Sequence, residues 1–247
     1  MKKIGILLPL LLLFAGCNND LSFKEQKYYK KSTLPCKAEC TDISVVVPIA
    51  SDKPIVADSI NKKVFATMKE IIYVGEKPFT ATDYNGLLSA FINAYDKMQT
   101  DNPKDVFNWK GDIKGKVIYQ SDSIIDIELK HYTFTGGAHG YSGRHSLIFD
   151  AMTGKFIPNE YLFRDKKAFM AFAEKKFRIA YKIPEGQYIN ATNLMFENGV
   201  FQLPQTYFFT DKGLLLFYNV FEIASYADGP KELLIPYSEV NKYLTVR

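Results

Sequence analysis

All three histidines of this chain, His131, His139 and His145, fall within fifteen positions. Imidazole is the side chain best suited to proton transfer or metal ligation near neutral pH, so this stretch is where chemistry is sought first. In the residues before the glycines, Ile125, Ile127, Leu129 and His131 share one parity, while Asp126, Glu128 and Lys130 take the other. That is the period of a strand. After the glycines, His145, Leu147 and Phe149 again share a parity. A hairpin symmetric about Ala138 sets Leu129 against Leu147, Ile127 against Phe149 and His131 against His145 on the inward face, with His139 at the tip.

Two roles for the pair follow. His131 and His145 serve as core-edge histidines satisfied by backbone carbonyls, or they ligate a transition metal, which would also want an oriented carboxylate that no spacing forces into place. The first is the simpler. Asp126 and Glu128 alternate on the polar face and are expected to be solvated, not an acid/base pair. There is no G-x-S-x-G, H-E-x-x-H, G-x-x-x-x-G-K-[ST] or strand-helix G-x-G-x-x-G signature. No catalytic residue and no cofactor is therefore assigned, although absent motifs do not exclude an enzyme, and a hydrolase or metal-dependent enzyme using the histidine hairpin stands as the alternative.

The three cysteines divide by position. Cys17 follows Lys2 and Lys3, an apolar run over residues 4–15 and the small residues Ala15 and Gly16, the order of a secretory signal. The run is too short for the roughly 20 apolar residues of a spanning helix. Residues 1–17 resemble a lipoprotein signal whose Cys17 thiol becomes lipidated, with Phe14 where that pattern usually has Leu. Two acyl chains would anchor the protein to a bacterial membrane, on its extracytoplasmic side. Cys36 and Cys40 form a C-x3-C pair in an oxidising compartment, and a disulfide between them requires a turn over residues 37–39. The polar, Lys- and Tyr-rich segment 18–40 shows no hydrophobic period and is expected to be a flexible tether. Its four lysines, Lys24, Lys27, Lys30 and Lys31, are expected to be solvated.

The elements that position the histidines follow from period. Residues 43–49 are a β-branched strand; Val56, Ile60, Val64 and Met68 recur every four residues in a helix, with Ser51 or Asp52 as its cap and Pro54 in its first turn. A second helix, capped by Thr82 or Thr80, carries Leu87, Leu88, Phe91, Ile92, Tyr95 and Met98 on one face. Strands are expected over 117–120, 123–134 and 143–150, a third helix over 165–181, strands over 205–209, 214–221 and 232–235, and a short helix over 238–243. Blocks of hairpins with helices between them give an α+β fold, a mainly antiparallel sheet with helices packed on one face and two interlocked subdomains. These run over 41–155 and 156–247.

Composition narrows the class. With 47% hydrophobic residues, 31 Lys+Arg and 27 Asp+Glu, the chain is an ordinary globular protein whose net charge of +4 gives no sign of a nucleic-acid partner. Its 19 Phe and 16 Tyr suit half-buried strand surfaces more simply than a carbohydrate platform.

The motif Tyr132-Thr133-Phe134-Thr135-Gly136-Gly137-Ala138-His139-Gly140 resembles the extracytoplasmic domain pair of RsiV and PdaC type. The likeness continues at Phe149-Asp150 before Thr153-Gly154-Lys155, at Phe221 to Pro230, and at Ile235-Pro236-Tyr237. It implies an α+β pair at the cell envelope, in one case binding lysozyme and in another accompanying a peptidoglycan-modifying enzyme. The chain has neither a sigma-binding segment nor the Asp-rich deacetylase motif, so signalling and deacetylation are not carried over. The expected partners are the membrane, through the lipid anchor, and a cell-wall glycan or a lysozyme-like protein. From Gln120 onward acidic and basic residues balance at 14 each, which gives no acidic excess to steer a basic lysozyme. The candidate ligand-binding residues are Gly136, Gly137, His139 and Gly140 in one loop and Tyr226 and Gly229 in the other.

Overall fold

The computed structural model describes residues 20–36, 39–75, 79–103 and 107–246. The expected signal segment and Cys17 lie outside the described residues. Five strands, β1 (Ser22–Lys31), β2 (Asp42–Ser51), β3 (Lys110–Gln120), β4 (Ile124–Phe134) and β5 (Tyr141–Asp150), form one sheet in that order. Every pair is antiparallel except β2 with β3. That parallel pair needs a long crossover, which α1 (Pro54–Ile71) and α2 (Tyr84–Asp101) provide. The second half adds α3 (Lys166–Ala180), an antiparallel sheet of β6 (Thr206–Phe209), β7 (Gly213–Tyr218) and β8 (Lys231–Pro236), and the short α4 (Tyr237–Val240). The fold is α+β.

The helices start where local chemistry allows. Pro54 opens α1, but Lys53 occupies the cap position without a side-chain bond, so neither Ser51 nor Asp52 serves. Asp83 caps α2 in place of Thr80 or Thr82, its carboxylate accepting the Gly86 N–H at 2.8 Å. Ile60, Val64 and Met68 of α1 and Leu87, Leu88 and Phe91 of α2 then bury one face each against Ile43, Val45 and Val47 of β2 and Ile113 of β3.

The expected tether is corrected. Residues 22–31 pair along their whole length with β2 and form the sheet's first edge. Both faces of β1 are largely wet, so no apolar alternation marks it, and its lysines are the residues that commonly guard an edge. One face is nevertheless engaged: Tyr28 stacks on Tyr84 at 4.8 Å and the Lys30 ammonium donates to Ser89 Oγ at 2.8 Å. Past β1, the Cα atoms of Cys36 and Cys40 stand 5.4 Å apart, a separation at which a disulfide closes.

Strand β4 is buried on both faces over Ile124–Ile127. Ile125, Ile127 and Leu129 belong to the core under α1 and α2, whereas Ile124, with Ile148 of β5, belongs to a second core with Phe169, Phe177, Tyr207, Leu216 and Ile235. Asp126 is therefore not solvated, as its parity suggested; it is wholly buried between the two sheets. Its carboxylate accepts the Ser146 hydroxyl at 2.6 Å and the Phe209 N–H at 2.8 Å, tying β4 to β6. Glu128 is likewise engaged, in an ion pair with Arg144, whose guanidinium lies 4.4 Å from the ring centroids of both Phe208 and Phe217.

β5 would leave a free edge, and the second half closes it. The Asn219 amide accepts the Arg144 N–H at 2.8 Å and donates to the Arg144 carbonyl at 3.0 Å, copying the two bonds of a neighbouring strand. Asn219→Ala leaves the Arg144 N–H unpaired and its carbonyl with only the Thr206 hydroxyl at 3.3 Å, and is expected to cost about 1–3 kcal/mol in urea unfolding; an unchanged midpoint would show that the clip carries no stability.

Candidate functional site

The β4–β5 register differs from the symmetric hairpin by two residues. Leu129 faces His145, Ile127 faces Leu147, and His131 faces Gly143. Parity is preserved, so both histidines stay on the inward face, but as diagonal neighbours. The reason is Gly143: a Cβ there would lie 2.5 Å from His131 Cε1, so the missing side chain is the space the ring occupies. From there His131 stacks on His145 at 5.2 Å and reaches Tyr141 at 5.6 Å.

The imidazole planes of His131 and His145 lie within 19° of parallel and meet face to face, whereas a shared ion needs in-plane nitrogens aimed at one point. Among the described residues no three His, Cys, Asp or Glu side chains converge on a common point. His131 Nδ1 is buried and has no hydrogen-bond partner among the described residues. Burial, and then the neighbouring His145, push the His131 pKa down to about 4. Burial also lowers that of His145, against the pull of Glu70.

The tip of the hairpin behaves differently. Gly136 and Gly137 have φ of 111° and 91°, conformations open to glycine, and turn the chain so that His139 stands exposed. Its Nδ1–H donates to the Gly140 carbonyl at 3.1 Å. Gly140 packs against the Tyr132 ring where any Cβ would collide. Across from the tip, the second candidate loop turns at Gly229, whose N–H returns to the Tyr226 carbonyl. The two loops meet. His139 stacks on Tyr226 with centroids 4.6 Å apart and planes 19° apart, and Phe221 joins them at 5.9 Å from His139 and 5.5 Å from Tyr226.

Phe221 is the residue the sequence did not single out for this role. It is 52% exposed and has φ of 65°, a left-handed conformation disfavoured for a bulky side chain. Glu222 holds it there, its carboxylate accepting the Gln205 N–H at 2.7 Å and the Asn219 N–H at 2.8 Å. Burial raises the Glu222 pKa and these two bonds pull it back. Beside Phe221 opens a cleft of about 310 Å³ lined by Tyr141, His145, Thr206, Asn219 and Glu222. Exposed aromatic faces, a bound carboxylate and a small polar cleft form one continuous surface, to which each half of the chain contributes a loop. All six candidate ligand-binding residues lie in those two loops, and His131 and His145 lie behind them.

Two buried groups on opposite faces of the hairpin give opposing pH dependences. Burial raises Asp126 from 3.8 to about 7, despite the bonds from Ser146 and Phe209. Because its folded pKa lies above the unfolded one, its contribution is full below about pH 3.8 and is lost as pH rises to about 7. The His131 pKa is depressed, so its contribution is full above about pH 6.5 and is lost as pH falls to about 4. Thermal melts between pH 4 and 7 are expected to show Tm rising with pH in Asp126→Asn and falling with pH in His131→Phe, with the parent flatter than either. Parallel profiles in all three proteins would contradict the assignment.

Residues 35–142 match the family described as deacetylase PdaC, and residues 160–238 match a protein family of unknown function, DUF3298. No curated protein matches the chain. Two solved structures share the fold: a DUF3298 family protein from Pseudomonas aeruginosa, with 22% identity and a TM-score of 0.68, and a DUF3298 family member from Bacteroides fragilis, with 18% identity and a TM-score of 0.67. Each likeness covers 91% of this chain and, respectively, 94% and 93% of the other. A PdaC match ending at the start of β5 and a DUF3298 match beginning after β5 support a PdaC/DUF3298-type domain pair, and the structural likeness shows that the fold is shared.

Proposed function

We propose that this chain is an extracytoplasmic, lipid-anchored binding protein without catalytic activity, and that it holds a cell-wall glycan at the joint of its two loops. The observation that carries the reading is the stack of His139 on Tyr226 beside the exposed, backbone-strained Phe221. Sugar rings present apolar C–H faces and polar rims, and a cluster of amphipathic rings beside a hydrogen-bonding cleft complements both. Strain held at an exposed aromatic residue is a feature that concentrates at ligand sites. Among the described residues nothing at the joint is arranged as a nucleophile with its base: the His139 Nδ1–H is bound to its own loop, and Glu222 is occupied by two backbone amides. The anchor is supported by the order of basic, apolar and small residues before Cys17.

Titration of soluble peptidoglycan fragments into the parent protein is expected to give saturable binding without consumption of the glycan. His139→Ala and Tyr226→Ala are each expected to weaken it tenfold or more, about 1.4 kcal/mol. Glycan turnover would replace the reading with an enzyme, and retention of lysozyme alone would replace the ligand with a protein. For the anchor, mature protein from cells is expected to carry a diacylglyceryl mass on Cys17 and to partition with membranes. Cys17→Ser should release it; a free thiol at Cys17 in the mature protein would end the lipoprotein reading.

A further inference from the structure

The outer face of the five-stranded sheet, opposite α1 and α2, carries a line of positive charge. Following the pairing from edge to edge, Lys27 lies beside Val46, Val46 beside Lys114, Lys114 beside Lys130 and Lys130 beside Arg144. Four of the five positions in this row are cationic, and strand spacing sets them over about 19 Å. Like charges directly opposite one another oppose pairing, so Lys114, Lys130 and Arg144 form a triplet that the sheet tolerates at a cost. Carboxylates offset part of it: Glu25 pairs with Lys27, Asp112 with Lys114 and Glu128 with Arg144. Lys130 is exposed and has no carboxylate partner among the described residues. The adjacent row places Tyr29 and Tyr132, 63% and 37% exposed, on the same face. At its far end the line runs into a cleft of about 320 Å³ where Lys130 and Arg144 face Phe217, Asn219, Pro230 and Glu232.

We propose that this row is a binding site for an extended anionic glycan, a chain with repeating phosphate or carboxylate groups, lying across the strands with its end in the cleft. The carboxylates interleaved with the lysines argue against a duplex nucleic acid with one charge per roughly 1.7 Å, and suit a chain whose charges recur at about the strand spacing. A flat anionic bilayer is also a poor fit, because Arg144 is only 28% exposed and lies over the paired rings of Phe208 and Phe217. The charged row itself is distinct from the aromatic joint, although its end cleft shares Asn219 with the cleft beside Phe221.

The test is fluorescence anisotropy with a labelled glycerol-phosphate oligomer at about 50 and 200 mM salt. The parent is expected to bind and to weaken as salt rises. Lys114→Thr with Lys130→Thr should weaken binding tenfold or more at the lower salt while raising Tm by about 1–3 °C, since removing opposed charges relieves the sheet. Lys130→Arg should keep binding within about twofold, because the charge is retained. The proposal is overturned if the parent does not bind, if the double variant binds as the parent does, or if a neutral chitin oligomer, single-stranded DNA or vesicles with anionic lipid bind equally well.

Discussion

Over Ile124–Ile127 and Leu147–Phe149, strands β4 and β5 have no free face, and the arrangement of both halves follows from that constraint. Ile125, Ile127 and Leu129 complete one core while Ile124 and Ile148, one residue out of phase, complete the other. Between them Asp126 turns a carboxylate into the second core and uses it to hold the Phe209 N–H. A one-residue slip would reverse every one of these assignments, so the second half is located as firmly as the register of the hairpin itself. Once β6 and β7 are fixed there, Asn219 falls on the open edge of β5, and the chain that follows it is delivered to the hairpin tip. The meeting of His139 with Tyr226 and Phe221 is thus a consequence of how one hairpin is shared.

Buried ionisable groups on the two faces of that hairpin mark the same economy. Asp126 is held with its carboxyl pKa near neutrality, and His131 is held as a neutral ring against His145, in the space left by Gly143. Each opposes burial of its charged form, one on each side of the sheet. Arg144, between them and the solvent, is stabilised by Glu128 and two aromatic faces and anchors the cationic row on the outer side. The hairpin thus joins two cores, one edge clip and two surfaces.

How much of this was legible in the sequence depended on whether a residue's environment was written in its own segment. The helices were, because Val56, Ile60, Val64 and Met68 face a single core. So were the two loops, through their glycines and the motifs around His139 and Tyr226. The two-residue register shift was not, because parity is unchanged by it and only the ring of His131 over Gly143 decides it. Asp126 was misread as solvated because alternation shows one buried face and says nothing of a second sheet arriving from more than eighty residues later. β1 was misread as a tether because a strand wet on both faces has no apolar period. Phe221, though part of the motif running to Pro230, is not legible as a site residue because its strain is imposed by Glu222 and the backbone groups that Glu222 holds.

The aromatic surface proposed as the site is one that neither half makes alone. The aromatic joint takes His139 from the first half and Phe221 and Tyr226 from the second, and it exists only while the shared hairpin holds both. The most direct measurement is a ring-proton and ring-carbon NMR titration of the parent protein with a defined disaccharide-peptide fragment of peptidoglycan. The account predicts that the resonances of His139, Phe221 and Tyr226 shift together along one saturating curve, while those of Phe91 and Trp109, buried under the sheet, stay fixed. Saturating shifts confined to one half of the chain, or no shift at the three rings at saturation, would contradict it.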